Sequence, residues 1–390
     1  MTTCGIQMRP AVLRSIVHVF IFPLLAFLFS PILNAQAWEE VGGKNGLAGY
    51  TPIYLASNGT GTVYAAVTVY VGGNDLTRTF VSQWNENTNT WVEVGAANSF
   101  PKIYPIDWLS SDSYGNLYAH VNSWADKRWY VRKWNKDSNS WNELGGSNSL
   151  PSKIYPRLAT VDTAGNVYVT YTDATIPMTH HILQWNKNNN SWIELTQSKF
   201  YMLQTGPFTS DASGNLYAAV GLTKGYNDHN FVGQLKNGET SWAILGDTNS
   251  LSINGVSLLT SDIAGNIYAV CEFKNNLGHF FIAKWYKRTN KWYEIGTKRP
   301  FIANGYINAI TTDIFGNIYA AGRFTNDQGN FYIAEWIAKK DSWIEVGGDN
   351  SLIPNGWISS IASDAAGNIY VAVFDKEPPG SCRVVRFKRK

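Results

Sequence analysis

The sequence predicts an all-β fold in which one structural unit is repeated seven times around a ring. Three observations support this prediction: a short motif that recurs along the chain, four β-type runs within each repeat, and one repeat that is divided between the two ends of the chain. A fixed period of about fifty residues is typical of solenoids, propellers and arrays.

The recurring motif is D-x-x-G-N-x-Y or a close variant of it. Its tyrosines follow one another at intervals of 49 to 54 residues, and they are Tyr64, Tyr118, Tyr168, Tyr217, Tyr268, Tyr319 and Tyr370. The aspartate can accept hydrogen bonds from the backbone of a tight turn, and the glycine can adopt the positive φ that such a turn requires. The first copy has Asn58 where the others have aspartate. The motif therefore predicts one hairpin turn in every repeat.

Each repeat contains four short runs of β-branched and aromatic residues, and turn-rich segments separate them. The copy at residues 307–348 is the clearest, and no part of it has the apolar period of a helix. A second hairpin joins two tryptophans seven residues apart, at Trp84/Trp91, Trp134/Trp141, Trp185/Trp192, Trp285/Trp292 and Trp336/Trp343, while the fourth repeat pairs Leu235 with Trp242. Four antiparallel strands in about fifty residues describe one blade of a β-propeller.

The seventh repeat is split between the two ends of the chain. Its C-terminal part ends with a third strand, in which Phe387 takes the place of the first tryptophan of the pair. The missing fourth strand matches residues 38–43, whose sequence WEEVGG resembles WIEVGG at residues 343–348. We therefore predict a seven-bladed β-propeller of four-stranded antiparallel blades, closed by the N-terminal strand, which completes the last blade. A solenoid would not need to divide one unit in this way.

The motif, the small-residue strand that follows it and the aromatic end of the third strand resemble the bacterial β-propeller repeats known as SBBP. The likeness covers nearly all of residues 38–390, and it extends more loosely to NHL repeats, which usually have a shorter period. The resemblance implies the blade architecture and an extracellular or envelope protein, but no reaction. Sialidase Asp-boxes place glycine two residues after aspartate, whereas here it stands three residues after. No sialidase site is therefore implied.

The first 37 residues have the pattern of a secretory signal peptide. Arg9 and Arg14 precede an apolar run at residues 16–33, and the A-x-A signal at residues 35–37 stands directly before Trp38. We expect cleavage there, a propeller domain at residues 38–390, and a secreted or cell-envelope protein of the periplasm or cell surface. An uncleaved membrane anchor is the alternative, since the run is long enough to span a bilayer.

Charge and cysteine content limit the partners that we expect. Only 16% of the residues are charged and the formal net charge is +3, so we expect neither a nucleic-acid partner nor a membrane partner beyond the signal peptide, and we expect a monomer. The basic C-terminal cluster at residues 383–390 suggests a solubilising edge strand and tail. Cys271 and Cys382 belong to blades five and seven, too far apart for a disulfide, so we predict two buried free thiols.

Aromatic residues are the best candidates for a binding site. At the start of the first strand of successive blades stand Tyr50, Tyr104, Tyr155, Tyr306 and Trp357, with Asn304 and Asn355 beside the last two. Aromatic rings near the channel can stack on the apolar faces of sugars, and amides can bind hydroxyl groups. The alternative is that these rings pack beneath the loops. Trp124 and Arg128, in the loop that we predict at residues 120–129, are equally ambiguous.

The sequence offers no pattern typical of a catalytic or metal site. His180, His229 and His279 hold matching positions before the third strands of blades three to five, but neighbouring blades keep such positions about 10 Å apart, so we expect solvated loop histidines. Each Asp turn offers one carboxylate, which is too few for a hard cation. We therefore predict no cofactor, no metal site and no catalytic residues.

The predicted function is that of an exported, non-enzymatic binding propeller whose ligand is a glycan or an extracellular protein. A propeller enzyme of the lyase or glycosidase type, with its site over the central channel, is the first alternative. A structural surface protein is the second. A cluster of carboxylates or histidines at the mouth of the channel would favour the enzyme.

Overall fold

The chain folds into seven four-stranded antiparallel sheets arranged as a β-propeller. A computed structural model describes residues 38–42, 47, 51–58, 61–71, 76–96, 99–100, 106–123, 128–146, 150, 154–173, 180–195, 201–202, 207–221, 230–246, 251, 255–348, 356–374 and 382–389. The predicted signal peptide lies outside the described residues. No helix among the described residues is long and apolar enough to cross a membrane.

The strands follow one another from the channel outwards in every blade. Blade 1 consists of β2 (Thr51–Ser57), β3 (Val63–Val71), β4 (Leu76–Asn85) and β5 (Thr90–Glu93). Blade 2 consists of β6 (Ile106–Ser111), β7 (Leu117–Ser123), β8 (Arg128–Asn135) and β9 (Ser140–Glu143). Blade 3 consists of β10 (Ile154–Val161), β11 (Val167–Asp173), β12 (His180–Asn186) and β13 (Ser191–Glu194).

Blade 4 differs because its innermost strand is divided into two pieces that both pair with the next strand. Its strands are β14 (Tyr201–Met202), β15 (Phe208–Ser210), β16 (Leu216–Gly221), β17 (Asn230–Leu235) and β18 (Trp242–Leu245). Blade 5 consists of β19 (Val256–Ser261), β20 (Ile267–Lys274), β21 (Phe280–Tyr286) and β22 (Lys291–Glu294). Blade 6 consists of β23 (Ile307–Thr312), β24 (Ile318–Gly322), β25 (Ala334–Ile337) and β26 (Ser342–Glu345).

Blade 7 closes the ring as predicted. It consists of β27 (Ile358–Ser363), β28 (Ile369–Phe374), β29 (Cys382–Phe387) and, from the other end of the chain, β1 (Trp38–Glu40). The innermost strands of neighbouring blades contact one another all the way round, including β27 with β2. They enclose a central channel, and the apolar faces of the sheets pack blade against blade.

The motif turn is built around a buried carboxylate. In all six aspartate copies, one carboxylate oxygen accepts a bond from the backbone N–H of the asparagine four residues on, at 2.8–3.0 Å. The other oxygen accepts bonds from the side-chain amide of that asparagine and from the tyrosine hydroxyl, at 2.7–3.2 Å. The aspartates are only 2–6% exposed. Burial raises the pKa of all six tyrosines, so each hydroxyl keeps the proton that it donates.

The predicted role of the motif glycine is confirmed at Gly316. Its φ is +77°, in the region that L-residues rarely adopt, and its N–H donates to the carbonyl of Asp313 at 3.1 Å. A Cβ at this position would meet only open space, apart from a carboxylate oxygen of Asp262 at 4.0 Å. The backbone conformation, rather than crowding, therefore requires glycine here.

Hydroxyl groups link the blades around the channel. The residue before each motif aspartate or asparagine is serine or threonine in six blades, and Val161 stands there in blade 3. Side-chain hydroxyls at this position donate to the backbone carbonyl of the same position in the preceding blade, in the pairs Ser57–Ser363, Ser111–Ser57, Ser261–Ser210, Thr312–Ser261 and Ser363–Thr312. The bond from Ser57 to Ser363 joins blades 1 and 7, which are neighbours only because the ring closes.

Tryptophans link the blades at the periphery. The indole N–H of the second tryptophan donates to a carbonyl of the preceding blade, in the pairs Trp91–Val41, Trp141–Val94, Trp192–Leu144, Trp292–Leu245 and Trp343–Ile295, at 2.8–3.3 Å. The polar hairpin before it also contributes. Asn290, for example, accepts from the indole of Trp285 and from the N–H of Gly246 in blade 4, both at 3.0 Å.

The basic C-terminal cluster is part of the closure, and our interpretation of it as a solubilising tail was wrong for Arg386, Lys388 and Arg389. The guanidinium of Arg386, whose side chain is 7% exposed, pairs with Glu39 on β1 and with Glu86 of blade 1. Lys388 pairs with Glu86, and Arg389 pairs with Glu335 of blade 6. The cluster therefore connects blade 7 to both of its neighbours.

Deleting residues 38–42 should destabilise the ring by about 3 kcal/mol or more, because β29 becomes an open edge and Arg386 loses a partner. The rings of Trp38 and Phe387, 5.4 Å apart, would also lose their contact. Thermal and denaturant unfolding measure the loss. Glu40→Ala, which truncates an exposed side chain of the same strand, is the control and should change stability little. An unchanged midpoint in the deletion variant would contradict the closure.

Tyr268→Phe should cost about 1–2 kcal/mol, because it leaves the buried carboxylate of Asp262 without the hydroxyl that donates to it at 2.9 Å. Tyr64→Phe is the matched control. The hydroxyl of Tyr64 lies 3.4 Å from the amide of Asn58, so this substitution deprives no carboxylate of a donor and should cost less than half as much. Equal losses in urea unfolding would show that the carboxylate is not the cause.

Candidate functional site at the channel mouth

The end of the channel opposite the Asp turns has an irregular inner strand. A register shift in the pairing of the first two strands marks a β-bulge in blades 1, 2, 3, 5, 6 and 7. The extra residue is polar in five of these blades, where it is Asp107, Arg157, Ser257, Asn308 or Ser359, whereas the shift in blade 1 falls at the apolar Pro52 and Ile53. Bulges re-aim side chains and are common next to functional sites. The sequence analysis missed these bulge residues, because nothing in the sequence of a single repeat indicates a bulge.

In blades 5 to 7, two further sets of equivalent residues lie at this end of the channel. The residue before the first strand is Gly255, Tyr306 or Trp357, and its carbonyl accepts a bond from the N–H of Glu272, Arg323 or Phe374 at the end of the second strand. We refer to these six residues as the channel mouth. The backbone is equivalent in the three blades, so the chemistry of the mouth depends on the side chains that vary.

Tyr306 presents the most exposed aromatic ring of the channel mouth, with 62% of its surface accessible. Its ring lies 5.0 Å from that of Phe280 in blade 5, at a tilt of 36°. The ammonium of Lys274 lies 5.5 Å from the Phe280 ring on the same blade. Phe280 therefore supports Tyr306 from one side and leaves its other face accessible.

Trp357 is more enclosed than Tyr306. The guanidinium of Arg323 lies 4.2 Å above its ring, and Phe374 packs against it edge-on at 4.7 Å. Its indole N–H is buried and has no partner among the described residues. Trp357 thus serves mainly to hold Arg323 at the mouth, which agrees with the packing alternative for this residue more than with an open stacking surface.

Asn304 is exposed and forms a local turn with blade 6. Its side-chain amide donates to the hydroxyl of Thr325 at 3.1 Å, and its carbonyl oxygen accepts the N–H of Thr325 at 2.9 Å. Tyr155 lies in β10, where its backbone pairs with Thr172. Tyr50, Tyr104 and Asn355 lie outside the described residues. The structure therefore brings Tyr306 and Trp357 to adjacent blades and leaves the other predicted rings untested.

The predicted loop at residues 120–129 is wrong in its bounds, because β7 and β8 extend into it and leave only residues 124–127 between them. Trp124 lies outside the described residues. Arg128 starts β8 and pairs with Glu143 at 3.1 Å. His120 lies within β7 and is 1% exposed, so it is a core residue.

Two histidines form ion-pair geometries that the sequence analysis did not anticipate. Nδ1 of His120 lies 2.6 Å from Asp107, and its ring stacks on Trp129 at 5.3 Å. Nδ1 of His181 contacts Glu194, and its ring stacks on Tyr171 at 4.9 Å. Nε2 of each is buried with no partner in the described part of the chain. The pKa of the Tyr54 hydroxyl is raised, first by burial and second by the negative charge of Asp107. The side chain of His120 is only 1% exposed, so it is too enclosed to act as a base on a substrate.

The remaining candidates give no further site. His279 is half-buried, with Nδ1 enclosed, so it is not a fully solvated loop histidine, whereas the side chain of His180 and all of His229 lie outside what the structure describes. Cys271 and Cys382 are buried and not joined in a disulfide, and burial raises the pKa of the Cys271 thiol. Among the described residues, no group of three or more His, Cys, Asp or Glu side chains could hold a metal ion.

The opposite end of the channel opens into a cavity of about 410 Å³ lined by the Asp turns and the hydroxyls before them. The aspartate carboxylates at this end are engaged in the turn bonds described above. Side chains of Ile263 and Ile314 border the same opening.

Comparison with known proteins supports the fold and leaves the repeat family open. No family model and no curated protein matches the sequence, so the SBBP resemblance remains a prediction. Among solved structures, the β-propeller domain of the Trilobed protease from Pyrococcus furiosus is similar, with a TM-score of 0.58 at 9% identity, covering 87% of this chain and 96% of that one. That domain is described as having an open velcro topology. In this chain, by contrast, β1 closes the last blade.

A GH74 enzyme from Niastella koreensis is similar with the same TM-score of 0.58, at 15% identity over 86% of this chain and 52% of that chain. At such low identities the similarity concerns the fold alone. The chain is a seven-bladed β-propeller.

Proposed function

We propose that this protein is an exported binding propeller that recognises a glycan at the channel mouth without transforming it. The observation that carries the proposal is the ring of Tyr306, which is 62% exposed at the start of an innermost strand and supported by Phe280. A flat, preorganised aromatic surface can stack on the apolar face of a sugar ring at little entropic cost. Arg323 and Asn308 provide donors for sugar hydroxyls beside it.

Carbohydrate is the better ligand class for this surface than an extracellular protein. Protein interfaces depend on contiguous apolar area with a well-packed centre. The channel mouth instead combines one exposed ring with the polar side chains of Glu272 and Arg323, and the polar bulge residue Asn308 stands two residues after Tyr306 in the chain. Such a surface suits a ligand that combines apolar ring faces with many hydroxyl groups.

Tyr306→Ala should weaken glycan binding about tenfold, which corresponds to ~1.4 kcal/mol, and leave the melting temperature nearly unchanged because the ring is mostly exposed. Tyr306→Phe is the matched control and should retain most of the affinity. Trp357→Ala should lower the stability by about 2 kcal/mol, because it removes the packing of Arg323 and Phe374. A glycan array selects the ligand, and calorimetry measures each variant.

Full affinity in a folded Tyr306→Ala variant would contradict the site. If the loss of glycan affinity in each variant parallels its loss of melting temperature, the rings act only through packing. The enzymatic alternative has one observation in its favour, the exposed carboxylate of Glu272 at the mouth. Release of shorter saccharides from the selected glycan, abolished by Glu272→Gln, would support that alternative and overturn the non-enzymatic assignment.

We also propose that the protein reaches the cell exterior or envelope by cleavage after Ala37. The proposal rests on the basic residues, apolar run and A-x-A signal at residues 1–37. N-terminal sequencing of protein recovered from the medium or envelope should begin at Trp38. An intact Met1 terminus on membrane-bound protein would instead support the anchor alternative.

A further inference from the structure

The face that carries the Asp turns has an exposed apolar surface in blades 5 and 6 that the proposed glycan site does not use. It is formed by Ile263, Ile314 and Phe315, whose side chains are 71%, 48% and 65% exposed. These residues occupy the two variable positions between aspartate and glycine in the motif. Blade 7 has only Ala365 and Ala366 there, and blade 3 has Thr163 and Ala164. The turn itself therefore does not require large apolar residues.

Five cations lie on the outer hairpins of the same two blades. The hairpin between the third and fourth strands lies against the Asp turn of its own blade, as the bonds from Lys187 to the carbonyl of Ala164 and from Asn237 to that of Ser213 show. In blades 5 and 6 these hairpins carry exposed lysine and arginine side chains with no ion pair in the described part of the chain: Lys287, Arg288, Lys291, Lys339 and Lys340.

Acidic groups in this sector are already engaged. Asp262 and Asp313 are buried in their turns. Asp341 accepts bonds from Gly296, Thr297 and Trp336, and these bonds, opposed by partial burial, hold its pKa below the usual value. Glu335 pairs with Arg389. These carboxylates remain charged and offset part of the positive charge, but Asp262, Asp313 and Glu335 are buried whereas the five cations are exposed. The low net charge behind our expectation of no membrane partner conceals this asymmetry.

We propose that the part of this face formed by blades 5 and 6 docks on an anionic phospholipid surface, with Ile263, Ile314 and Phe315 entering the headgroup region and the five cations contacting lipid phosphates. Apolar side chains at the tips of adjacent turns, bordered by lysine and arginine, combine the two terms that hold a protein on an anionic bilayer. Docking in this way would point the channel mouth away from the membrane. The inference concerns the opposite face from the glycan site and does not depend on it.

The test uses the full chain with Cys4→Ser, so that the remaining thiols, Cys271 and Cys382, are both buried. A single exposed cysteine at Ile263→Cys carries an environment-sensitive fluorophore. Its emission should shift to the blue on vesicles that contain a third of phosphatidylglycerol and stay unchanged on phosphatidylcholine alone. High salt should remove most of the shift. Because the fluorophore reports its own surroundings, insertion of the apolar N-terminal segment does not produce the signal.

Two labelled positions serve as controls. Tyr114→Cys is 76% exposed in the equivalent turn of blade 2, and Leu277→Cys is 64% exposed on the loop between the second and third strands of blade 5. Neither should respond. Adding Lys287→Glu and Arg288→Glu to the Ile263→Cys protein should raise the concentration of anionic vesicles needed for half of the blue shift at least about tenfold, since each cation near the surface contributes appreciably. Ile314→Ser with Phe315→Ser should have a similar effect.

The proposal is overturned by any of four outcomes: no shift on anionic vesicles, an equal shift on neutral ones, an equal shift at Tyr114→Cys or Leu277→Cys, or an unchanged vesicle dependence of the shift after charge reversal. The charge-reversed residues are exposed, so this variant keeps the test decisive if the serine variant does not fold.

Discussion

The fold depends on one recurrent interaction, a buried aspartate carboxylate whose two oxygens are saturated by hydrogen bonds from its own turn and from a core tyrosine. An isolated carboxylate in an apolar core would cost many kcal/mol, and a tyrosine hydroxyl buried without an acceptor would also be unfavourable. Placed six residues apart, each satisfies the other, as Asp262 and Tyr268 do at 2.9 Å. The pair fixes the turn, sets the register of the first two strands and attaches the turn to the core.

Blade stacking follows from this local unit. Once the turn is fixed, the hydroxyl before the aspartate points to the preceding blade, and the same bond can form at successive blades around the channel. The tryptophans repeat the device at the outer edge. The hydroxyl bonds lie at the inner edge of each sheet and the tryptophan bonds lie at its outer edge. Together they fix the angle between neighbouring blades. Closure then needs only a strand with the right apolar residue, which Trp38 provides against Phe387.

The sequence predicted what is local and repeated, including the strands, the turns, the number of blades and the division of the last blade. It did not predict bonds between residues about fifty positions apart, such as Trp141 to the carbonyl of Val94, because they depend on the angle between blades. It also failed where composition was ambiguous. Arg386 looked like a solvated cation, and only the pairing of β1 with β29 brings Glu39 to it. Trp357 looked as accessible as Tyr306, but Arg323 and Phe374 enclose it.

Function in such a ring should reside where the repeats differ, because positions that all blades share are explained by stability. Gly255, Tyr306 and Trp357 have the same backbone bond in three adjacent blades, yet their side chains differ completely. The same holds at the other end, where the turn accepts alanine in blade 7 but carries Ile314 and Phe315 in blade 6. An exposed apolar side chain that the turn does not need lowers solubility, so selection for solubility alone would disfavour it. Both irregular patches fall in the same sector of the ring, blades 5 to 7, at opposite ends of the channel.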